Sequence, residues 1–158
     1  MKAQEGKWAE AIEKLEGYRK RYKPNGDHPE DPYMLRDLGE AYIGGRDSKD
    51  PMGSFVNAEG AYNAGAALMS TRMEFDKTLK PVYYAWVLRL GEIKIMQGDA
   101  ATNPDARRGA YRTAMQLADT NLEDSGSLKE KFQKLKEEAE TKWKTSNGKT
   151  QKAEPEKR

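Results

Sequence analysis

The sequence predicts an all-α fold, and three observations support this prediction. Apolar residues recur at spacings of three and four over long stretches, which is the period of an amphipathic helix. Proline stands at three positions where a helix would begin, and there its fixed φ favours the helix while its missing N–H removes no hydrogen bond. No stretch of five or more residues alternates convincingly between apolar and polar side chains, as a half-buried strand would.

Six helices follow from these signals, near residues 5–22, 32–43, 54–69, 81–97, 104–120 and 127–144. The proline starts are Asp31-Pro32, Lys80-Pro81 and Asn103-Pro104. Ser54 offers a serine cap to the third helix. Ser127, with Glu130 three residues later, forms a capping-box pattern before the last helix.

Composition limits the size of the core and the class of partner. Of the 158 residues, 34% are charged and 36% hydrophobic, and the mean hydropathy of −1.02 suits thin helical layers better than a large continuous core. The net charge is +2, but residues 144–158 hold five basic and two acidic residues and so carry +3, which leaves about −1 on residues 1–143. The body therefore has no bulk attraction for phosphate backbones, and nucleic-acid binding is not favoured.

The residue inventory argues against catalysis. The chain has no cysteine and one histidine, so the commonest nucleophilic and acid–base arrangements are missing. His28 lies in the acidic loop 26–31, whose order of side chains matches no metal-binding loop, and Gly44–Lys49 lacks the Gly-Lys-Ser/Thr ending of a phosphate-binding loop. We therefore expect no enzyme activity, no metal and no cofactor.

Targeting signals are few. No run of about 18 apolar residues is present, so no transmembrane segment is expected. The first residues lack an apolar signal segment, which slightly favours the cytoplasm, and a signal removed before residue 1 leaves export open.

Two stretches of the chain share a pattern of small and aromatic residues. Leu38-Gly39 is followed by Tyr42, and Leu90-Gly91 is followed by Gly98-Asp99. This pattern resembles the tetratricopeptide (TPR) repeat family, and the opening at Leu38 also fits the related Sel1-like repeats. The two Leu-Gly pairs are 52 residues apart, against a family period of 34, and the extra length is expected in loops near 44–53 and 70–79. Further matches lie at Leu35, Ala58, Tyr62, Tyr111 and Ala114.

The resemblance implies a stack of antiparallel helix hairpins, a TPR-like α-solenoid, over residues 1–144. Glycine and alanine would allow close approach of paired helices, and tyrosines would fill the gaps that they leave. Helix 127–144, with its narrow apolar stripe, would close the stack as a capping helix. Residues 145–158 are polar and have no apolar anchor, so a disordered tail is expected there.

The resemblance also implies a concave groove lined by the first helix of each hairpin. Such a groove would take an extended peptide or a partner helix, and the function expected is that of a protein–protein interaction module or scaffold subunit. The aromatic cluster Tyr83-Tyr84-Ala85-Trp86 is expected to be mostly core. The groove residues carried over by position are Tyr33, Arg36, Glu40, Ile43, Leu88, Arg89, Glu92, Ile95 and Met96.

Helix 5–22 suggests an alternative, because it resembles the second helix of a hairpin with no first helix before it. Its apolar stripe would then be left for another copy of the chain or for an upstream repeat. The alternative function is therefore a structural self-assembly module. The interface residues expected on this helix are Trp8, Ile12 and Leu15.

Overall fold

The computed structural model describes the backbone of residues 2–22 and 31–156, and the side chains of residues 6–21 and 32–146. The described residues contain six α-helices and no strand, which confirms the all-α class. None of these helices is both long and apolar enough to cross a lipid bilayer. The helices are α1 (Lys2–Tyr22), α2 (Asp31–Gly44), α3 (Pro51–Phe75), α4 (Lys80–Ala100), α5 (Pro104–Asn121) and α6 (Lys129–Glu156), and two short 3-10 helices cover Lys77–Leu79 and Gly126–Leu128.

Local chemistry explains where the helices begin. Asn103 caps α5 as expected, because its side-chain oxygen accepts hydrogen bonds from the backbone N–H groups of Asp105 at 2.8 Å and Ala106 at 3.2 Å. The start of α3 differs from the prediction, since Asp50 is the cap and Pro51 the first helical residue. Ser54 lies inside the helix, where its hydroxyl oxygen accepts a hydrogen bond from the backbone N–H of Asp47.

We expect Asp50→Ala to lower the free energy of unfolding by about 1 kcal/mol. The substitution removes the acceptor, 3.1 Å from the Gly53 nitrogen, that satisfies one of the free N–H groups at the start of α3. Asp50→Asn keeps an acceptor oxygen and should lose less stability. Urea titration followed by circular dichroism measures both variants, and equal losses would show that the cap bond contributes nothing.

Two helices, α3 and α6, extend more than one turn beyond their predicted ends. The predicted loop near 70–79 is wrong in its first half, because α3 continues to Phe75. Asp76 then stops the helix and caps the following 3-10 turn, with its side chain accepting from the Thr78 backbone N–H at 3.0 Å. At the other end of the chain α6 runs to Glu156, so the backbone is helical through most of the segment expected to be a disordered tail.

The chain forms two compact units, Met1–Trp86 and Val87–Arg158, and the boundary falls within α4. In unit 1, α2 packs against both α1 and α3. The expected single repeat domain over 1–144 stays a prediction. The buried side chains between these helices are mostly apolar and include Met34, Leu35, Leu38, Ala41, Phe55, Ala58, Ala61, Tyr62, Ala66 and Met69.

Unit 2 is built on the packing of α5 against α6. The second half of α4 contributes Gly91, where an added Cβ atom would lie 3.3 Å from Leu117 of α5 and would also meet Leu135 of α6. The largest side chain that is fully buried in this core is that of Phe132. The other buried residues include Ile93, Tyr111, Ala114, Ala118, Leu135 and Ala139.

The missing side chains of Gly39 and Gly98 let neighbouring helices approach closely. An added Cβ at Gly39 of α2 would lie 2.5 Å from the ring of Tyr62 on α3, which is too close for any real Cβ atom. An added Cβ at Gly98 of α4 would meet the ring of Tyr111 on α5 in the same way. In each case the tyrosine ring occupies the space that the missing side chain leaves.

Candidate functional site

The apolar stripe of α1 is only partly covered in unit 1. Trp8, Ile12 and Leu15 are each half-buried. Trp8 packs over the end of α2, where an added Cβ at Gly44 would lie 2.6 Å from the indole ring and one at Gly45 would lie 2.7 Å from Trp8 Cβ. Of the predicted interface residues, Trp8 contacts the end of α2 and Ile12 lies beside Gly45, and all three keep part of their surface exposed.

Two of the predicted groove residues on α2 form a small aromatic–cation cluster. The ring of Tyr33 meets the ring of buried Trp86 edge to face, with centroids 5.4 Å apart and an interplanar angle of 87°. The Arg36 guanidinium carbon lies 5.4 Å from the Tyr33 ring centroid. Arg36 also donates two hydrogen bonds to Asp37, at 2.9 and 3.1 Å, while its side chain stays 39% exposed. We call Tyr33, Arg36 and Trp86 the α2 cluster.

The other two predicted residues on α2 have different surroundings. Ile43 is buried, so its side chain belongs to the core and is not available to line a groove. Glu40 is half-buried and accepts a hydrogen bond from the Tyr62 hydroxyl, so its carboxylate supports the packing of α2 on α3. Of the four predicted groove residues on α2, Tyr33, Arg36 and Glu40 are therefore half-buried while Ile43 is buried, so position in the repeat pattern does not by itself predict exposure.

The predicted residues on the second half of α4 lie in unit 2. Ile95 is buried and is therefore a core residue. Leu88 and Met96 are half-buried. Arg89 and Glu92 form an ion pair one helical turn apart, at 3.3 Å, with both side chains partly exposed.

The aromatic run 83–86 was expected to be mostly core, but of its aromatic side chains only Trp86 is buried. Tyr83 and Tyr84 are half-buried and meet edge to face, with centroids 5.1 Å apart. The Lys80 ammonium lies 5.9 Å from the Tyr84 ring centroid. These side chains extend the aromatic surface of unit 1. The sequence signal that could have identified this aromatic surface is the presence of three aromatic residues within the four positions 83–86.

Titratable groups also connect the three helices of unit 2. The Tyr111 hydroxyl donates to Asp99 Oδ1 at 2.6 Å, and Lys142 Nζ donates to both oxygens of the same carboxylate at 2.8 and 3.0 Å. One carboxylate on α4 therefore holds a side chain from α5 and another from α6. This arrangement uses its charges to hold helices together.

The stability of unit 2 should fall between pH 10 and pH 12. Burial, and then the hydrogen bond to Asp99 and its negative charge, raise the pKa of Tyr111 from 10.0 to about 12. Below pH 10 the hydroxyl is protonated in both folded and unfolded chains. Between these values only the unfolded chain loses the proton, so stability falls by at most about 1.4 kcal/mol per pH unit for this group.

Tyr111→Phe is the control for this prediction, because phenylalanine cannot titrate. The stability advantage of the wild type over Tyr111→Phe should shrink as the pH rises through this window, as measured by urea titration at each pH. A constant difference would contradict the raised pKa. Tyr42, whose pKa is raised to about 12 by burial and by its hydrogen bond to Glu16, titrates in both proteins and cancels in the comparison.

Among the described residues, no group of three or more His, Asp or Glu side chains could hold a metal ion. The loop containing His28 lies outside the described residues. Comparisons of the chain with protein-family models, with curated proteins and with solved structures find no match. The resemblance to TPR and Sel1-like repeats therefore rests on the sequence pattern alone.

Proposed function

We propose that this chain is a protein–protein interaction module with the stacked helical hairpins of TPR and Sel1-like repeats, and that it holds an extended peptide or a helix of its partner. The observation that carries the proposal is the α2 cluster. It presents a tyrosine ring and a guanidinium group on one helix face, both partly exposed and both held in place by neighbours.

The geometry of the α2 cluster suits a binding hot spot. Tyrosine, tryptophan and arginine are the residue types most enriched among side chains that dominate binding energy. Buried Trp86 fixes the Tyr33 ring from one side, and Arg36 covers another part of it. Side chains that are already ordered lose less conformational entropy when a partner binds, so more of the contact energy appears as affinity.

The charge of the surface indicates what kind of segment it takes. The Arg36 guanidinium has five N–H donors, and Asp37 accepts from only two of its nitrogens. A partner segment that combines a carboxylate with an apolar or aromatic side chain would satisfy both the guanidinium and the tyrosine ring. On α4, the half-buried Leu88 and Met96 and the Arg89–Glu92 pair are the remaining candidates for partner contact, and they are tested separately because they belong to unit 2.

The test is affinity capture from an extract of the source organism on immobilised 1–158. We expect a discrete protein to bind the wild type and to bind Arg36→Glu and Tyr33→Ala at least tenfold more weakly, since hot-spot residues are each worth about 2 kcal/mol or more. Titration of the purified partner by calorimetry gives the ratios of dissociation constants. Leu88→Ala and Met96→Ala test the α4 residues by the same measurement.

Lys49→Glu is the matched control, because it makes the same change of charge as Arg36→Glu at an exposed loop position, where the backbone N–H of Lys49 donates to Asp47. The control should bind the partner like the wild type. A partner that binds Arg36→Glu and Tyr33→Ala as tightly as the control would contradict the proposed site. Recovery of no discrete protein would contradict the proposed function.

Self-assembly through α1 is the second candidate, and the half-exposure of Trp8, Ile12 and Leu15 favours it. It predicts a molar mass that rises with protein concentration in sedimentation equilibrium and a fixed monomer mass for Ile12→Glu. We rank it second because Trp8 already packs on Gly44 and Gly45 of the same chain. A single mass at all concentrations would eliminate it without affecting the first proposal.

A further inference from the structure

A cavity of about 370 Å³ lies in unit 2, between the first half of α5 and the far part of α6. This volume is within the range of sites that bind small molecules. None of the residues of the α2 cluster takes part in it. Its lining consists of Asp105, Arg108, Gly109 and Arg112 from α5 and Trp143 from α6.

The cavity carries one guanidinium group with unused donors. Arg108 is paired with Asp105 at 2.6 Å, and the Asp105 side chain is 86% exposed, so this pair is largely solvated. Arg112 lies one helical turn further along the same face of α5 and forms no ion pair or hydrogen bond with the described part of the chain. Because Arg108 neutralises Asp105, the lining has a net charge of +1, and Arg112 can offer parallel N–H donors to a carboxylate or phosphate.

Trp143 is half-buried and forms one side of the lining. Gly109 is exposed, and an added Cβ there would meet nothing within 4 Å, so this glycine leaves open space in the part of the lining that α5 supplies. An indole ring beside open space can stack against a second planar ring.

We propose that this cavity binds a small planar aromatic anion, with its ring against Trp143 and its carboxylate or phosphate on Arg112. The two contacts come from different helices and recognise different parts of the ligand. A ligand with only one of the two parts should therefore bind much more weakly than a ligand that has both.

The experiment uses phenyl phosphate as the probe, with inorganic phosphate and benzyl alcohol as the two half-ligands. The chain has three tryptophans, so a nitrogen–proton correlation spectrum of the full chain shows three indole signals. Loss of one signal in Trp143→Phe assigns that of Trp143. We expect phenyl phosphate to shift the Trp143 signal in a saturable way and to leave the signals of Trp8 and Trp86 in place.

Two variants test the two halves of the site. Arg112→Gln should weaken the binding of phenyl phosphate about three- to tenfold, since it removes an exposed charge-assisted contact. Gly109→Ala should also weaken binding of the probe, because its methyl group would fill part of this open space in the lining, even though alanine is the better helix former. Gly60→Ala is the matched control, an exposed helical glycine of α3 with the same open surroundings, and it should leave binding unchanged.

Several outcomes would overturn the proposal. These are the absence of a saturable shift, a shift of equal size with inorganic phosphate alone, and unchanged affinity in Arg112→Gln. Weakening by Gly60→Ala to the same degree as by Gly109→Ala would also overturn it. Because partner capture by the α2 cluster is measured on other residues, failure here leaves the proposed function untouched.

Discussion

Gly98→Ala should destabilise unit 2 by about 1–3 kcal/mol, although alanine is intrinsically favoured in a helix by about 1 kcal/mol. The added Cβ would lie 2.7 Å from Cδ1 and 2.9 Å from Cζ of Tyr111. That ring cannot move aside easily, because Tyr111 is only 4% exposed and its hydroxyl is held by Asp99. Steric strain therefore outweighs the gain in propensity. Urea titration followed by circular dichroism measures the loss.

The control for this prediction is Gly109→Ala on α5, where an added Cβ meets nothing within 4 Å. There only the propensity effect operates, and stability should rise by about 0.5–1 kcal/mol. In a double-mutant cycle, Tyr111→Ala removes the ring, so Gly98→Ala should cost little in that background. If Gly98→Ala stabilised the protein as much as Gly109→Ala does, the result would contradict the close packing of Gly98 on Tyr111.

Phe132→Ala should lower the free energy of unfolding by about 3–5 kcal/mol. The side chain is 0% exposed and lies in the core where α6 packs on α5. Removing the ring loses the free energy gained by burying it, and it leaves a cavity that the surrounding helices fill only in part. A fall in the urea midpoint, or failure of unit 2 to fold, is the expected result.

Phe75→Ala makes the same chemical change at the last residue of α3, where the ring is 88% exposed. Its effect should stay within about 0.5 kcal/mol, because a surface side chain loses almost no buried area. The ratio of the two effects measures burial directly. Similar losses in the two variants would show that Phe132 is not a core residue.

The helices could be predicted from the sequence because their signals are local. Asn103-Pro104 combines a side-chain acceptor with a residue whose φ is already helical, and the structure places the cap there. Asp50-Pro51 contains the same signal, and α3 begins there, three residues before the predicted start at Ser54. The end of α3 was predicted too early because the polar residues Ser70, Thr71 and Arg72 interrupt the apolar stripe, whereas the helix continues until Asp76 ends it.

The candidate sites could be predicted only in part. Repeat spacing predicted Tyr33, Arg36 and Ile43 as groove residues of α2, but Tyr33 and Arg36 are partly exposed while Ile43 on the same helix is buried. The difference lies in what packs above each residue, and spacing does not contain that information. The cavity of unit 2 was missed for the same reason. Arg108 and Arg112 can be recognised in the sequence as an i,i+4 pair. Trp143 comes from another helix, and its local sequence does not indicate that it lies near these arginines.

Local signals are sufficient to predict the all-α class, the six helices and most of their starts, because apolar period, proline position and side-chain caps act within one or two turns of the chain. Which faces of these helices are covered depends instead on how the helices pack. Packing places Trp8 on Gly44 and Gly45, brings Tyr33 against Trp86, and divides the chain into two compact units within the first half of α4. Burial and charge pairing depend on residues far apart in the chain, so they are settled when helices pack and not when they form.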